Sequence, residues 1–388
     1  MTAEWYDLGQ RLHAARSGQL VARLTHSPLP PITHPVAVRA RSDRHGLTVI
    51  VCSPDREPVT THDPQQACTA LVDHGVTIGA DTWRTLVTDD PRTLPTLLTL
   101  ARHADPRGPH ADVAAHLGWW ADRADFPATS AVVLTPRTCA TRWATGTAPA
   151  AETDPGTWRQ WLGVTDDSTA GLLDVLTRLS HGTPLPLIDV ITDDDTASWH
   201  AAQSEHGDGW DWRHPDNLKR AATGLRARCD AADLYHSALL CDPLYRRRAA
   251  HTGHVVTATS DTAPGKNRIV ALCDRMDARL RVGNTVTGWA GNPGDSPTAR
   301  FNGTVAATGL IDGHLALTLS AVTTHRPDPG TRITLRPANT SPDVLKSGRR
   351  RYQRLYSTRT SWLTTGRTPT PHRRDVPLEV LIAAADSE

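Results

Sequence analysis

The residues best suited to chemistry lie near the C-terminus. Between Lys346 and Arg374 stand nine basic residues, Lys346, Arg349, Arg350, Arg351, Arg354, Arg359, Arg367, Arg373 and Arg374, with no Asp or Glu among them. A phosphate chain requires positive charge spaced along its track, and the planar guanidinium grips phosphate through two parallel hydrogen bonds. Tyr352, Tyr356 and Trp362 are interleaved with these cations. Their rings offer faces for bases to stack on, each worth about 1–3 kcal/mol where that occurs. Without the nine, the chain carries 33 basic against 41 acidic residues, so a formal net charge of +1 hides a basic segment on an acidic body. The partner expected from this pattern is nucleic acid, with DNA ahead of RNA. If all nine cations met phosphates, log K would fall against log salt with a slope of about −6 on a single strand and about −8 on a duplex. Two other uses of the segment compete with this one. Its aromatic stripe could pack on a neighbouring domain, or its arginines could dock on the acidic N-terminal body.

A second constellation spans 193–217 and holds Asp193, Asp194, Asp195, His200, Glu205, His206, Asp208, Asp211, His214 and Asp216. Carboxylates and histidines at this density could ligate a divalent metal for phosphodiester hydrolysis. The spacing argues otherwise. His200 and His206 are six apart, which does not put them on one helical face, and Asp208-Gly209-Trp210-Asp211 reads as a loop. A solvated acidic connection leading into a helix explains the same residues. No G-x-S-x-G, H-E-x-x-H or G-x-G-x-x-G is present. Thr262–Asn267 comes nearest to a phosphate loop, but it lacks the leading Gly and the Ser/Thr that would hold magnesium. None of the six cysteines forms a C-x-x-C pair, so reduced, buried thiols are expected in place of a zinc or redox motif. We therefore assign no catalytic residue, metal or cofactor. A metal-dependent nuclease using 193–217 and a protein-interaction scaffold stand as the alternatives.

These residues need elements to position them. Residues 2–24 carry Trp5, Leu8, Leu12, Leu20 and Leu24 at helical spacing. Val36–Arg41 and Leu47–Cys52 read as a hairpin turning at Gly46. Pro64–Leu71, Leu94–His103, His110–Arg123 and Pro215–Tyr235 read as helices, and Ser130–Leu134 as a strand. From about His251 the pattern becomes short alternating strands: Gly253–Thr259, Arg268–Cys273, Thr285–Trp289, Phe301–Thr308, His314–Ala321 and Thr331–Leu335. Six such strands suit a small barrel. Gly253-His254-Val255 is echoed by Gly303-Thr304-Val305, and Gly283–Thr287 by Gly330–Thr334, which suggests two three-stranded halves. Trp289 and Phe301 could form a stacking platform there or fill the core. After Ser341-Pro342-Asp343, which can start a helix, Leu345, Gly348, Tyr352, Leu355, Arg359 and Trp362 form one helical stripe.

The expected class is α+β: a mostly helical mixed N-terminal region, a small six-stranded β-barrel and a C-terminal basic helix. Its expected parts are an α+β lobe over 1–150, a helical region over 151–248, the barrel over 249–338, the basic helix over 339–366 and a tail over 367–388. No stretch approaches the ~18 apolar residues of a membrane span. Met1-Thr2-Ala3-Glu4-Trp5 does not begin a signal peptide, so a cytoplasmic location is expected. The barrel followed by Ser347–Tyr356 and then Trp362-Leu363 resembles the β-barrel and stalk region of actinobacterial superfamily 1 helicases, over at most residues 215–388. The resemblance implies contact with nucleic acid and a helicase as a protein partner. Because the phosphate loop is missing, it does not imply an ATPase motor in this chain.

Overall fold

Val36, Val38 and Ala40 alternate with Ala37 and Arg39 along one run, so the sheet they build has two apolar faces to cover. The computed structural model describes residues 2–209, 218–263, 265, 267–297, 299–323, 325–357 and 377–385. It is α+β and divides into two units: Arg11–Tyr235 with Pro342–Thr365, and Met1–Gln10 with His236–Ser341 and Gly366–Glu388.

In chain order the elements begin with α1 (Ala3–Ser17), β1 (Val21–Ala22), β2 (Pro35–Asp43), β3 (Gly46–Ser53), β4 (Arg56–Thr61), α2 (Pro64–Asp73), β5 (Thr85–Thr88), α3 (Thr93–His103), α4 (Ala111–Arg123) and β6 (Val132–Leu134). There follow α5 (Thr135–Arg142), β7 (Trp143–Ala144), α6 (Pro155–Leu162), α7 (Gly171–Ser180), α8 (Ile188–Gly207) and α9 (Leu218–Leu239). The five-stranded sheet has the order β4-β3-β2-β5-β6. β2 and β3 form the expected hairpin, closing at Asp43 and Gly46, and β5 and β6 run parallel to β2. On one face Val36, Val38, Ala40, Val49 and Val51 pack with residues of α2, α3 and α4, among them Leu71, Leu97 and Trp120. On the other, Ala37, Cys52, Val87 and Val133 pack with Trp158, Leu162, Leu172 and Val175 of α6 and α7.

This second core corrects two expectations. Regions 1–150 and 151–248 are not separate lobes, because α6 and α7 cover a sheet face that would otherwise be bare. The first helix stops at Ser17, not at residue 24. Gly18 takes a left-handed φ of 66°, and Val21–Ala22 pairs with Trp143–Ala144. Trp5, Leu8 and Leu12 of α1 are exposed. The sequence pattern did not reveal β4 or β5. β4 contains Pro58 and is mostly solvent-facing, whereas β5 is only four residues, all buried.

Tryptophan fills the core beside α4. Trp119, Trp120 and Trp199 surround His116, with ring centroids 4.7–5.9 Å away. The His116 ring is completely buried, and its Nδ1 lies 3.2 Å from the Thr77 carbonyl oxygen. Burial disfavours the imidazolium and pushes its pKa down to about 4.

The second unit contains α10 (Pro243–Ala250) and six strands: β8 (Val256–Thr262), β9 (Ile269–Cys273), β10 (Thr285–Ala290), β11 (Phe301–Ile311), β12 (His314–Ser320) and β13 (Arg332–Pro337). They close into a barrel in the order β10-β11-β12-β9-β8-β13, leaving no open edge. All six strands read from the sequence are there. Exchanging β8 with β11, β9 with β12 and β10 with β13 maps this order onto itself. The two ladders joining equivalent strands, β9·β12 and β10·β13, are antiparallel, as a two-fold relation between halves requires.

Phe301 inside the barrel is 1% exposed, and Trp289, on the other face of β10 beneath the Arg246 guanidinium, is 2% exposed. Phe301 packs with Val286, Leu317 and Leu335, while the Trp289 indole donates to the Asn292 carbonyl at 3.1 Å. Neither presents a face for a base, so both are removed from the nucleic-acid-binding set. Gly288 makes the packing of Phe301 possible: a Cβ there would overlap the Phe301 ring and come within 2.7 Å of Leu335 Cδ2. The tail also departs from expectation. After α11 (Pro342–Ser357), the chain forms α12 (Leu378–Ala385), whose Val380 is buried in the barrel core.

Two outcomes follow. Gly288→Ala overpacks the barrel and should lower its stability by about 1–3 kcal/mol, read from chemical denaturation. Unfolded histidine takes up its proton near pH 6.5, whereas folded His116 does so only near 4. Its contribution is therefore complete above pH 6.5 and is lost as pH falls towards 4, by about 2 kcal/mol at pH 5. His116→Gln should remove that share of the slope between pH 7.5 and 5 in urea titrations followed by tryptophan fluorescence.

Candidate nucleic-acid interface

The basic run sits on α11, and the helix divides it into two faces. Leu345 is buried against Ile191 of α8 and Leu234 of α9. Arg349, one turn further on, lies on the same side and is only 22% exposed. Lys346, Arg350 and Arg354 recur every fourth residue on the opposite side with Arg351 beside them, and all four are exposed. The ridge from Lys346 to Arg354 is about 12 Å long at 1.5 Å per residue. Lys346, Arg350 and Arg351 have no carboxylate partner among the described residues.

Arg349 is held from two directions. Its Nε donates to Asp230 Oδ2 at 2.9 Å and its Nη1 to Asp194 Oδ1 at 2.6 Å. Burial alone would lower the pKa of the guanidinium. The two carboxylates outweigh that effect and hold it above the ordinary arginine value. Asp230, itself buried, also pairs with Arg226 at 2.8 Å one turn earlier on α9. Asp194 pairs with Arg123 of α4 at 3.3 Å. Arg123 in turn donates through Nε to Asp195 Oδ1 at 2.8 Å and lies over the Phe126 ring at 3.7 Å. Asp195 is completely buried and accepts further hydrogen bonds from Thr129 Oγ1, the Ser130 backbone N–H and Ser130 Oγ. Four helices are thus joined through alternating charges.

Two sequence expectations change here. Arg349 is an internal anchor and leaves the set of binding residues. The stretch from 193 is not a solvated connection, because Asp193 to His206 lie within α8. Asp195 falls on that helix's buried stripe with Ile188, Ile191 and Trp199, spaced three, four and four apart. That periodicity was the available signal, hidden by reading three adjacent aspartates as a surface run. His206 pairs with Asp112 at 2.8 Å. Among the described residues no group of three or more His, Cys, Asp or Glu could hold a metal ion. Asp211, His214 and Asp216 lie outside the described residues, as do Arg359, Trp362, Arg367, Arg373 and Arg374. Tyr352 and Tyr356 are on α11, with side chains outside the described set.

Another charged cluster stands at the carboxyl ends of the parallel strands, where open α/β sheets commonly bind ligands. Here it is closed by its own charges. Asp89 receives Arg39 Nε at 2.8 Å, Arg39 Nη2 at 2.6 Å and Arg159 Nη1 at 3.1 Å. Asp90 receives Arg41 at 2.7 Å and Arg92 at 3.1 Å. Burial would raise the Asp90 carboxyl, but Arg92 and Arg41 hold it below its ordinary range. These pairs tie α6 and the start of α3 to the sheet.

No family model, curated protein or solved structure matches this chain. Among the described residues no helix is long and apolar enough to cross a membrane.

The two faces of α11 predict opposite behaviour. Arg349→Ala leaves buried Asp230 and half-buried Asp194 without this cation and should cost about 2–4 kcal/mol in denaturant titration. Arg350→Ala, on the exposed side, should change stability by less than about 0.5 kcal/mol.

Proposed function

We propose that this protein is a non-catalytic nucleic-acid-binding factor whose contact surface is the ridge of Lys346, Arg350, Arg351 and Arg354. The observation that carries the reading is the division of charge on α11. One arginine satisfies the protein's own carboxylates on the inner side, so the remaining cations are turned outward. Lys346, Arg350 and Arg351, which have no carboxylate partner among the described residues, can meet a phosphate backbone without first breaking an internal ion pair, and Arg354 extends the exposed ridge to about 12 Å. Fixed on a helix anchored by Leu345 and Arg349, they lose little conformational freedom on binding. DNA is the favoured partner. The layout of barrel and basic helix supports an accessory role beside a separate helicase, which co-purification would test.

With four contacts in place of nine, log K should fall against log salt with a slope of about −3 on a single strand and about −4 on a duplex. Fluorescence anisotropy with labelled single- and double-stranded DNA and RNA over a salt series measures this directly. Changing Lys346, Arg350, Arg351 and Arg354 together to Ala should abolish most of the affinity and flatten the slope while leaving the unfolding midpoint near the wild-type value. Unchanged affinity in that variant would overturn the reading.

A further inference from the structure

A cleft of about 660 Å³ opens among α3, α4, α8 and α9, with Arg349 of α11 at its side. Gly118, Ala201 and Gly224 leave the space between the helices. Five arginines and three carboxylates line it, a balance of two positive charges. Three of those arginines are already engaged with carboxylates: Arg123 with Asp194 and Asp195, Arg220 with Glu205, and Arg349 with Asp194 and Asp230. Arg102 and Arg228 are different. Each lines the cleft, and neither has a partner among the described residues. The Arg228 guanidinium lies beside Gly224. The second terminal nitrogen of Arg349 also makes no hydrogen bond among the described residues. Unmatched guanidinium groups in a partly enclosed space select an anion with several oxygens, and phosphate fits their forked donors.

The size and neighbourhood narrow the ligand. The volume is that of a small-molecule site and exceeds what a bare phosphate needs. Leu98 and Phe126 add apolar wall beside the charges. A second cavity in the same unit, about 950 Å³, has the opposite sign: Asp55, Glu57, Asp166 and Asp174 line it against Arg56. Of these two, the first suits an anion. Arg349 of α11 lines it, so one helix carries both the exposed ridge and part of the cleft wall.

We infer that this cleft binds a nucleoside carrying a terminal phosphomonoester, with Arg102 and Arg228 as its phosphate ligands. The 5′-phosphorylated end of a strand lying on the ridge supplies that chemistry, and so does a free nucleoside monophosphate. The first source rests on the proposed function; the second does not.

The test compares one oligonucleotide with a 5′-phosphate and with a 5′-hydroxyl, alongside adenosine and guanosine monophosphates, on the full chain. The 5′-phosphate should tighten binding about tenfold. Arg102→Gln with Arg228→Gln should erase that preference while 5′-hydroxyl binding and the unfolding midpoint stay near wild type. Equal binding of both oligonucleotides, with no binding of free nucleotides, would overturn the inference and leave the ridge reading intact. Nucleotide binding that disappears in the double variant, with no oligonucleotide bound, would support the cleft and overturn the ridge. Nucleotide binding unaffected by the double variant would overturn the assignment of Arg102 and Arg228.

Discussion

The Arg123–Asp194–Arg349–Asp230 chain of ion pairs, with Asp195 buried behind it, sets how the basic helix lies. Buried carboxylates are costly unless their oxygens are matched. Asp195 accepts three hydrogen bonds from Thr129 and Ser130 in addition to Arg123, whereas Asp230 depends on Arg226 and Arg349. The position of α11 follows from that dependence. Leu345 supplies apolar contact with α8 and α9. Arg349 adds direction, because its fork meets carboxylates from α8 and α9 together. Turning α11 by one residue step, about 100°, would bring Lys346 and Arg350 inward and leave Asp194 and Asp230 without Arg349.

Legibility in the sequence varied with how local the governing interaction was. The barrel was readable strand by strand because each strand alternates and is bounded by turn residues, and closure needs only neighbouring ladders. The β2–β3 hairpin was readable for the same reason. β5 was not, since four buried residues carry no periodicity and gain their identity from parallel partners distant in the chain. The same distinction holds at the interface. That the C-terminal segment was basic and helical could be read directly, but which arginine faces inward could not. Arg349 differs from Arg350 only through Asp194 and Asp230, 155 and 119 residues away.

Charge density by itself was misleading in both directions. The aspartates at 193–195 looked like a metal site or a solvated run, yet Asp194 and Asp195 are matched by Arg123 and Arg349 inside the helical assembly. Asp89 and Asp90 attracted no attention in the sequence, although they sit where a sheet of this kind would place a ligand. Four arginines occupy that position and make it a structural clamp. In each case the informative quantity is the number of charges left unmatched once the fold has formed. That count favours the ridge on α11 and the cleft beside it over the acidic stretch.

On the proposed reading, the same count is what would let a nearly neutral protein recognise a polyanion. Long-range attraction between a chain of net charge +1 and nucleic acid is weak, and salt screens what remains beyond about 10 Å. Recognition must then come from local field, and local field requires cations whose neighbours do not cancel them. By pairing with Asp194 and Asp230, Arg349 neutralises the two carboxylates beneath its own face of α11. The residue that makes no contact with the ligand in this reading is thus the one that lets its neighbours make theirs.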